Sequence, residues 1–175
     1  MSVMKKENEK TGRYLVRDFR KEDAEALSSL IREDILIVNT EDAAWEREWL
    51  FNFYTPENII KSAQEGHTYV IEDTVTGEPV ATGNILRDCP AREGAVNETE
   101  IRACFIRAGF LHQGLGTLLF DALETDPAFQ EASRVWLTTS VYAAPFYEQR
   151  GYRYVFGYRG KNQDNLTEME KFPQL

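Results

Sequence analysis

The chain has 175 residues, 42% of them hydrophobic and 28% charged, a length and balance that predict one globular domain with a full core. Its formal net charge of −9 argues against nucleic acid as a partner, because phosphate backbones are bound by cationic patches. No apolar run approaches the ~18 residues of a membrane span, so no membrane partner is expected either.

The first part of the chain predicts a polar N-terminal segment followed by a strand and a helix. Residues 1–12 are polar and are expected to be mobile, which places the domain at 13–175. Alternation predicts a strand over Tyr14–Phe19. Apolar spacing predicts a helix over Lys21–Glu33, whereas Ile35–Val38 fits either a strand or a helix end.

Two further helices are predicted before the next strand. Asn39–Asp42 resembles a helix cap, and aromatic residues then recur at every fourth position. These residues are Trp45, Trp49 and Phe53. Pro56 suits the first position of another helix, which Gly66 ends.

The remaining elements predict a hairpin followed by β-α-β units. Thr68–Asp73 and Val80–Leu86 flank a Thr76–Pro79 turn, which is a hairpin pattern. The later strands and helices are expected at Thr99–Ile106, Gly114–Leu123, Val135–Thr139, 143–150, Tyr152–Tyr158 and Leu166–Phe172. This order predicts an α+β fold whose central sheet is mixed, mainly antiparallel and flanked by helices.

The most informative segment is the glycine loop Leu111–Thr117, which leads into a helix. Gly114 and Gly116 let the backbone turn tightly and expose its N–H groups at the helix N-terminus, where the helix dipole favours an anion. The loop therefore predicts a site for a phosphate-bearing ligand. A later short helix carries Tyr147, which suggests an acid group nearby.

With these motifs the chain resembles the GNAT superfamily of acetyl-CoA-dependent N-acetyltransferases, over nearly its whole length. The loop Leu111-His112-Gln113-Gly114-Leu115-Gly116 is similar to the family pattern Gln/Arg-x-x-Gly-x-Gly/Ala. The segment Ser140-Val141-Tyr142-Ala143-Ala144-Pro145-Phe146-Tyr147, followed by Gly151-Tyr152, is similar to Asn-x-x-Ala-x-x-Leu/Phe-Tyr and Gly-Phe/Tyr. The chain departs from these patterns at Leu111, where Gln or Arg is usual, and at Ser140, which replaces Asn.

The resemblance implies that the chain moves an acetyl group from acetyl-CoA to a primary amine, by direct transfer in a ternary complex and without a metal. The acceptor is a small molecule or a peptide amine whose identity stays open, and so does a homodimer, which is common in the family. The implied cofactor-binding residues are Cys104, Phe105, Ile106, Leu111, His112, Gln113, Gly114, Leu115, Gly116, Thr117 and Ser140. The alternative is a non-catalytic CoA-binding or regulatory module, for which Leu111 and Ser140 are the support.

Two residues are the implied catalytic groups. Tyr147 is expected to protonate the departing thiolate; otherwise it is a packing aromatic beside Phe146, the expected core member of the pair. Glu100 is the candidate base, with Glu98 nearly as suitable and a solvated strand residue as the plainer interpretation.

The other candidate groups are expected to be structural. Cys104 is interpreted as a small core residue and not as an acyl carrier, because an apolar setting raises a thiol pKa. Cys89 and Cys104 together predict reduced thiols in a cytoplasmic protein. The aromatic residues Trp45, Trp49, Phe53 and Tyr54 are expected either in the core or at the amine site.

Overall fold

The computed structural model describes residues 12–38, 44–88, 96–162 and 166–174. Three expectations lie outside these ranges: the helix cap at Asn39–Asp42, the thiol Cys89 and nearly all of the polar segment 1–12. The elements below are those of the described residues.

A seven-stranded sheet and six α-helices make up the described chain. The strands are β1 (Tyr14–Asp18), β2 (His67–Asp73), β3 (Glu78–Arg87), β4 (Glu98–Ile106), β5 (Arg134–Thr139), β6 (Arg153–Tyr154) and β7 (Thr167–Lys171). The helices are α1 (Ala24–Val38), α2 (Ala44–Phe53), α3 (Pro56–Glu65), α4 (Leu115–Thr125), α5 (Pro127–Gln130) and α6 (Ala144–Gln149).

The sheet has the order β1-β2-β3-β4-β5-β7-β6 and is mixed, as predicted. Strand β1 pairs with β2, and β7 with both β5 and β6, in antiparallel register. Strand β4 runs parallel to β5, and α4 is the crossover between them, as a parallel pair requires. The predicted α+β class is confirmed.

The chain divides into two compact units, and β3 and β4 run through both. The first unit contains the residues up to Asn84 and Ala103–Glu124, and the second contains Ile85–Arg102 and the residues from Thr125 onwards. The single domain expected at 13–175 stays a prediction.

The core of the first unit forms where α1 meets α3 and β2. Its buried residues are Leu27, Leu30, Ile31, Ile35, Ile59 and Val70. The partly buried Phe19, Leu50, Tyr54 and Phe105 pack against them. Helix α3 begins as predicted, with Pro56 in its first turn and the Thr55 hydroxyl accepting a hydrogen bond from the Asn58 amide at 3.3 Å. In the second unit the buried apolar residues include Ile101, Phe129, Val135, Leu137, Tyr152 and Met169.

Two segments for which the sequence allowed or predicted a strand have other structures. Ile35–Val38 is the end of α1. The strand expected over Tyr152–Tyr158 is wrong beyond Tyr154, because the chain enters a 3-10 turn at Val155–Gly157. Phe156 and Gly157 both have left-handed backbones, with φ of 52° and 69°, and two such residues cannot continue an extended strand.

Candidate active site

A distortion in β4 precedes the glycine loop. Ala103 has a φ of 52° inside the strand, a left-handed conformation that an L-residue with a side chain adopts only when its surroundings impose it. The ladder between β4 and β5 covers Glu98–Ile101 and ends there, although β4 runs on to Ile106. The alternation of buried and half-buried side chains also ends after Ile101. The end of β4, Cys104–Ile106, therefore follows a bulge-like kink.

The side chain of Cys104 points towards α4. A Cβ added at Gly83 would lie 3.2 Å from the Cys104 sulfur, and at 3.2 and 3.3 Å from Leu123 and Leu119 of α4. Burial raises the pKa of the Cys104 thiol to about 12. At neutral pH this leaves almost no thiolate, which is the form that attacks a thioester.

We expect Cys104→Ala to keep most of the transferase activity, because a group held as a thiol cannot serve as an acyl carrier. Any loss should follow the lower stability that removal of a buried sulfur brings. Mass spectrometry after incubation with acetyl-CoA alone should show no acetyl adduct at Cys104. A stoichiometric thioester there that an amine discharges would mean a ping-pong mechanism.

Phe105 and Ile106, the other two predicted binding residues at the end of β4, can offer a ligand only their backbone or a limited apolar surface. The Phe105 ring packs edge-on against Tyr54, with ring centroids 5.2 Å apart, and belongs to the core of the first unit. Ile106 is half-buried. The predicted role of Phe105 and Ile106 in cofactor binding thus rests on their amides.

The glycine loop joins β4 to the N-terminus of α4. It follows the 3-10 turn Ala108–Phe110, and His112 and Gly114 take left-handed conformations with φ of 60° and 82°. Gly114 is the helix cap, since its carbonyl accepts the first helical hydrogen bond, from the Leu118 amide at 3.0 Å. The amides of Leu115, Gly116 and Thr117 precede the first amide that has an acceptor within the helix. They therefore point out of the helix end, where the positive pole of the helix dipole lies.

Gly116 has no conformational reason to be glycine. It lies in the first turn of α4 and is not one of the residues with positive φ. A glycine in a helix is up to about 1 kcal/mol less favourable than alanine. What glycine provides here is an open approach to the exposed amides, which fits a bound anion.

The predicted loop side chains have different surroundings. Leu111, His112 and Thr117 are exposed, and Gln113 is exposed but hydrogen-bonded within the first unit. Leu115 is 1% exposed, so only its amide can reach a ligand. The loop and the end of β4 lie in the first compact unit, whereas Glu100, Ser140 and Tyr147 lie in the second.

Ser140 caps the turn that leads into α6. Its hydroxyl oxygen accepts a hydrogen bond from the Ala143 amide at 3.3 Å, and its carbonyl accepts from the amides of Ala143 and Ala144, both at 3.2 Å. Because a hydroxyl also has one hydrogen to donate, this role leaves Ser140 a donor. Pro145 lies in the first turn of α6, where the lost N–H would have had no helical acceptor.

Tyr147 is the buried member of the aromatic pair on α6, at 8% exposure, and Phe146 is half-buried. The expectation that Phe146 is the core residue is therefore wrong. In this short helix Tyr147 is the residue that lies edge-on to Tyr152, with ring centroids 5.8 Å apart. The ring centroids of Phe146 and Tyr147 lie 5.2 Å apart, also in an edge-on arrangement.

The two carboxylates considered as bases differ in their partners. Glu98 forms an ion pair with Arg134 at 3.3 Å, and Arg134 also binds Glu170 at 2.7 Å. The Glu98 carboxylate is already engaged by a guanidinium, which counts against Glu98 as the base. Glu100 lies opposite Trp136 in the β4–β5 ladder and is half-buried.

The aromatic residues of α2 form an exposed face. Trp45, Trp49 and Phe53 are 67%, 59% and 46% exposed, so their interpretation as core residues is wrong. The rings of Trp49 and Phe53 stack at 5.2 Å with an interplanar angle of 17°. Helix α2 is tied to α1 by Arg32, whose Nε donates to the Phe51 carbonyl at 3.0 Å.

The sequence analysis missed Asp34 on α1. Its side chain is half-buried, and burial, with a smaller contribution from Glu33, raises its pKa to about 6. Among the residues that the structure describes, no cation or hydrogen-bond donor pairs with it. An acidic residue between Ile31 and Ile35, both in the core, is the signal that could have identified it.

An open groove of about 900 Å³ lies in the second unit. Its lining includes Arg134, Arg153, Arg159, Glu148, Glu170 and Phe156. Each of these arginines forms an ion pair with one of the glutamates, Arg134 and Arg153 with Glu170 and Arg159 with Glu148. None of the predicted site residues lines it.

The comparisons with known proteins agree with this geometry. The model of the Acetyltransferase (GNAT) family matches residues 25–152, a range that includes the end of β4, the glycine loop, Ser140 and Tyr147. This chain belongs to the GNAT acetyltransferase family. No curated protein matches it.

Solved GNAT structures share the fold at low sequence identity. The PaiA N-acetyltransferase of Thermoplasma acidophilum, solved with coenzyme A, has 14% identity and a TM-score of 0.71, over 91% of this chain and 98% of that one. A GNAT-family acetyltransferase of Staphylococcus aureus has 16% identity and a TM-score of 0.68, over 91% and 99%. A GCN5-related N-acetyltransferase of Kribbella flavida has 17% identity and a TM-score of 0.68, over 91% and 98%.

The described residues contain no group of three or more His, Cys, Asp or Glu side chains that could hold a metal ion. They also contain no helix with the length and apolar character of a membrane span.

Proposed function

We propose that this GNAT protein transfers the acetyl group of acetyl-CoA directly to a primary amine, within a ternary complex. The observation that carries the proposal is the N-terminus of α4, with its glycine at Gly116 and outward-pointing amides, directly downstream of the kink in β4. Family membership supports acetyl transfer in general. The amine, the direct mechanism and the residue roles below belong to the proposal.

The acyl donor would be held mainly by backbone groups. The amides of Leu115, Gly116 and Thr117 would bind the pyrophosphate with the help of the helix dipole. The amides of Cys104, Phe105 and Ile106 would bind the pantetheine arm and polarise the thioester carbonyl. Ser140 would donate its hydroxyl hydrogen to the same arm, in place of the usual asparagine. With these contacts, Leu111 and Ser140 give little support to a CoA-binding module that has lost turnover.

The chemistry needs one base and one acid. The acceptor amine must lose a proton to attack, and Glu100, directly or through water, would take it. A C–N bond then forms at the thioester carbon, and the C–S bond breaks as the tetrahedral intermediate collapses. Tyr147 would give its proton to the departing thiolate, which leaves as CoA-SH, and would take the second proton of the amine nitrogen, so that a neutral amide is released.

The acceptor side of the proposal rests on the first compact unit. The exposed faces of Trp49 and Phe53 suit a cation, and aromatic faces attract ammonium groups. Asp34, on the neighbouring helix α1, is a carboxylate for which the described residues provide no counter-ion. The net charge of −9 also favours approach of a cationic amine.

We expect Asp34→Asn to stabilise the protein at pH 7.5 and to raise KM for a cationic amine. The folded carboxyl has a pKa of about 6, above the ~3.9 of an unfolded aspartate, so Asp34 lowers the stability of the fold progressively as pH rises from about 4 to about 6 and by a constant amount above that range. The gain in unfolding free energy should therefore shrink as pH falls from 7.5 to 4. Urea unfolding across this pH range checks it; a gain independent of pH would show that Asp34 is not desolvated.

The function is tested by thiol release from acetyl-CoA over a broad panel of amines. The expected result is release that depends on both substrates, with an acetylated primary amine as product. Calorimetry with CoA on the same protein identifies the alternative, because binding without release for any amine would indicate a regulatory module. Size-exclusion chromatography with light scattering tests the homodimer, and a cytoplasmic location remains the expectation from the sequence.

A further inference from the structure

A hydrogen bond between distant side chains ties the glycine loop to β1. The Tyr14 hydroxyl donates to Oε1 of Gln113 at 2.6 Å, and Nε2 of Gln113 donates to the Gly109 carbonyl at 3.3 Å. Tyr14 and Gln113 are 99 positions apart along the chain. Both ends of the Gln113 amide are thus used within the protein.

Tyr14 is a fixed anchor for this bond. It is 3% exposed and opens β1, where it lies opposite Asp73 of β2. Its ring meets Phe110 edge-on, with centroids 6.4 Å apart. The guanidinium of Arg13 lies 5.4 Å from the Tyr14 ring and 5.8 Å from that of Phe110, and it is held by Asp73 at 2.7 Å.

The loop that Tyr14 holds needs outside support. Gln113 lies between two left-handed residues, His112 with φ of 60° and Gly114 with φ of 82°. A left-handed residue with a Cβ persists only where its surroundings hold it. The neighbouring side chains of Leu111 and His112 are exposed, so Gln113, together with the buried Leu115, supplies the side-chain support for this turn.

We propose that Tyr14 is a positioning residue for acyl-donor binding, and that Gln113 is its link to the loop and not a side chain that contacts the cofactor. The bond fixes the turn that aims the amides of α4, so less order has to be imposed when the pyrophosphate binds. This inference rests on the proposed function, because it assumes that the loop binds CoA.

The test is a double-mutant cycle with CoA as the probe, measured by calorimetry. Tyr14→Phe keeps the ring against Phe110 and removes the hydroxyl, and Gln113→Met keeps the length of an exposed side chain. Tyr14→Phe should weaken CoA binding about three- to tenfold, as expected for the loss of one neutral hydrogen bond, and Gln113→Met, which also loses the bond to the Gly109 carbonyl, should weaken it at least as much. The double variant should be no weaker than the weaker of the two single variants. Tyr154→Phe, which removes a hydroxyl bonded to Glu148 at 3.2 Å in the other unit, is the matched control and should bind like wild type.

Kinetics separate positioning from simple loss of folded protein. In Tyr14→Phe the KM for acetyl-CoA should rise by the same factor, while kcat at saturating acetyl-CoA stays near that of wild type. Thermal unfolding establishes that each variant is folded at the assay temperature. A variant that merely contained less folded protein would show lower kcat with unchanged KM, which would contradict positioning.

The failures can be told apart. If wild type binds CoA and Tyr14→Phe binds it equally well, the positioning role is wrong and the proposed function stands. If the two single effects add in the double variant, Gln113 contacts the cofactor itself and the link is wrong. If wild type binds no CoA, both the proposed function and this inference are wrong.

Discussion

Tyr147→Phe should lower kcat by on the order of 10²–10⁴-fold, the usual cost of removing one well-placed general acid. The change removes only the hydroxyl, and the ring keeps its edge-on contacts with Phe146 and Tyr152. The fold and the affinity for CoA should therefore be preserved. Steady-state thiol release gives kcat, and calorimetry gives the CoA affinity.

The matched control for this prediction is Tyr158→Phe, the same substitution at a residue that is 64% exposed. It should leave kcat unchanged. If Tyr147→Phe also turned over like wild type, Tyr147 would be a packing aromatic, and another group would have to protonate the thiolate. Reduced CoA affinity at unchanged kcat would likewise contradict an acid role.

The second large effect is expected at Gly116, where glutamate should weaken CoA binding by at least on the order of 100-fold. A carboxylate in the first turn of α4 would face the pyrophosphate, and like charges brought together cost several kcal/mol. The new side chain would also cover the amides that now point outwards. Calorimetry with CoA and with acetyl-CoA measures the loss.

Gly116→Ala separates the steric part of this effect from the charge. It should raise the melting temperature, because alanine is the better helix former, and still weaken CoA binding. Val96→Glu, at a position that is 82% exposed in the other unit, adds the same charge and should leave binding unchanged. Full CoA affinity in Gly116→Glu would show that the anion binds elsewhere.

The parts of the site that local residue chemistry determines were predictable from the sequence. Glycine pairs and helix starts are local signals, so the loop around Gly114 and the start of α4 at Leu115 were expected, and the helix and tyrosine of α6 likewise. The position of Pro145 in the first turn of α6 follows from its missing N–H.

The parts that depend on distant contacts were not predictable. An alanine gives no sign that its φ will be positive, so the kink at Ala103 comes from the surrounding sheet. The side chain of Gln113 would be assigned to the cofactor by its motif, yet it is bound by Tyr14, which lies 99 positions earlier in the chain. The burial of Asp34 and the exposure of Trp49 were not predictable either, since helical spacing does not reveal which face of a helix its neighbours cover.

Gly83 packs beneath α4, the helix whose N-terminus forms the proposed anion site, and the loop motif alone does not suggest this contact. The gap above it is already filled by Cys104 and by Leu119 and Leu123 of α4, so the absence of a side chain there sets how closely the helix approaches the strands. The size of the residue at position 83 thus sets the distance between the sheet and α4, the helix whose first turn carries the outward-pointing amides. A larger residue at position 83 would therefore shift the N-terminus of α4, where the proposed anion site lies, without contacting that site. A smaller residue at position 104 would compensate for the change.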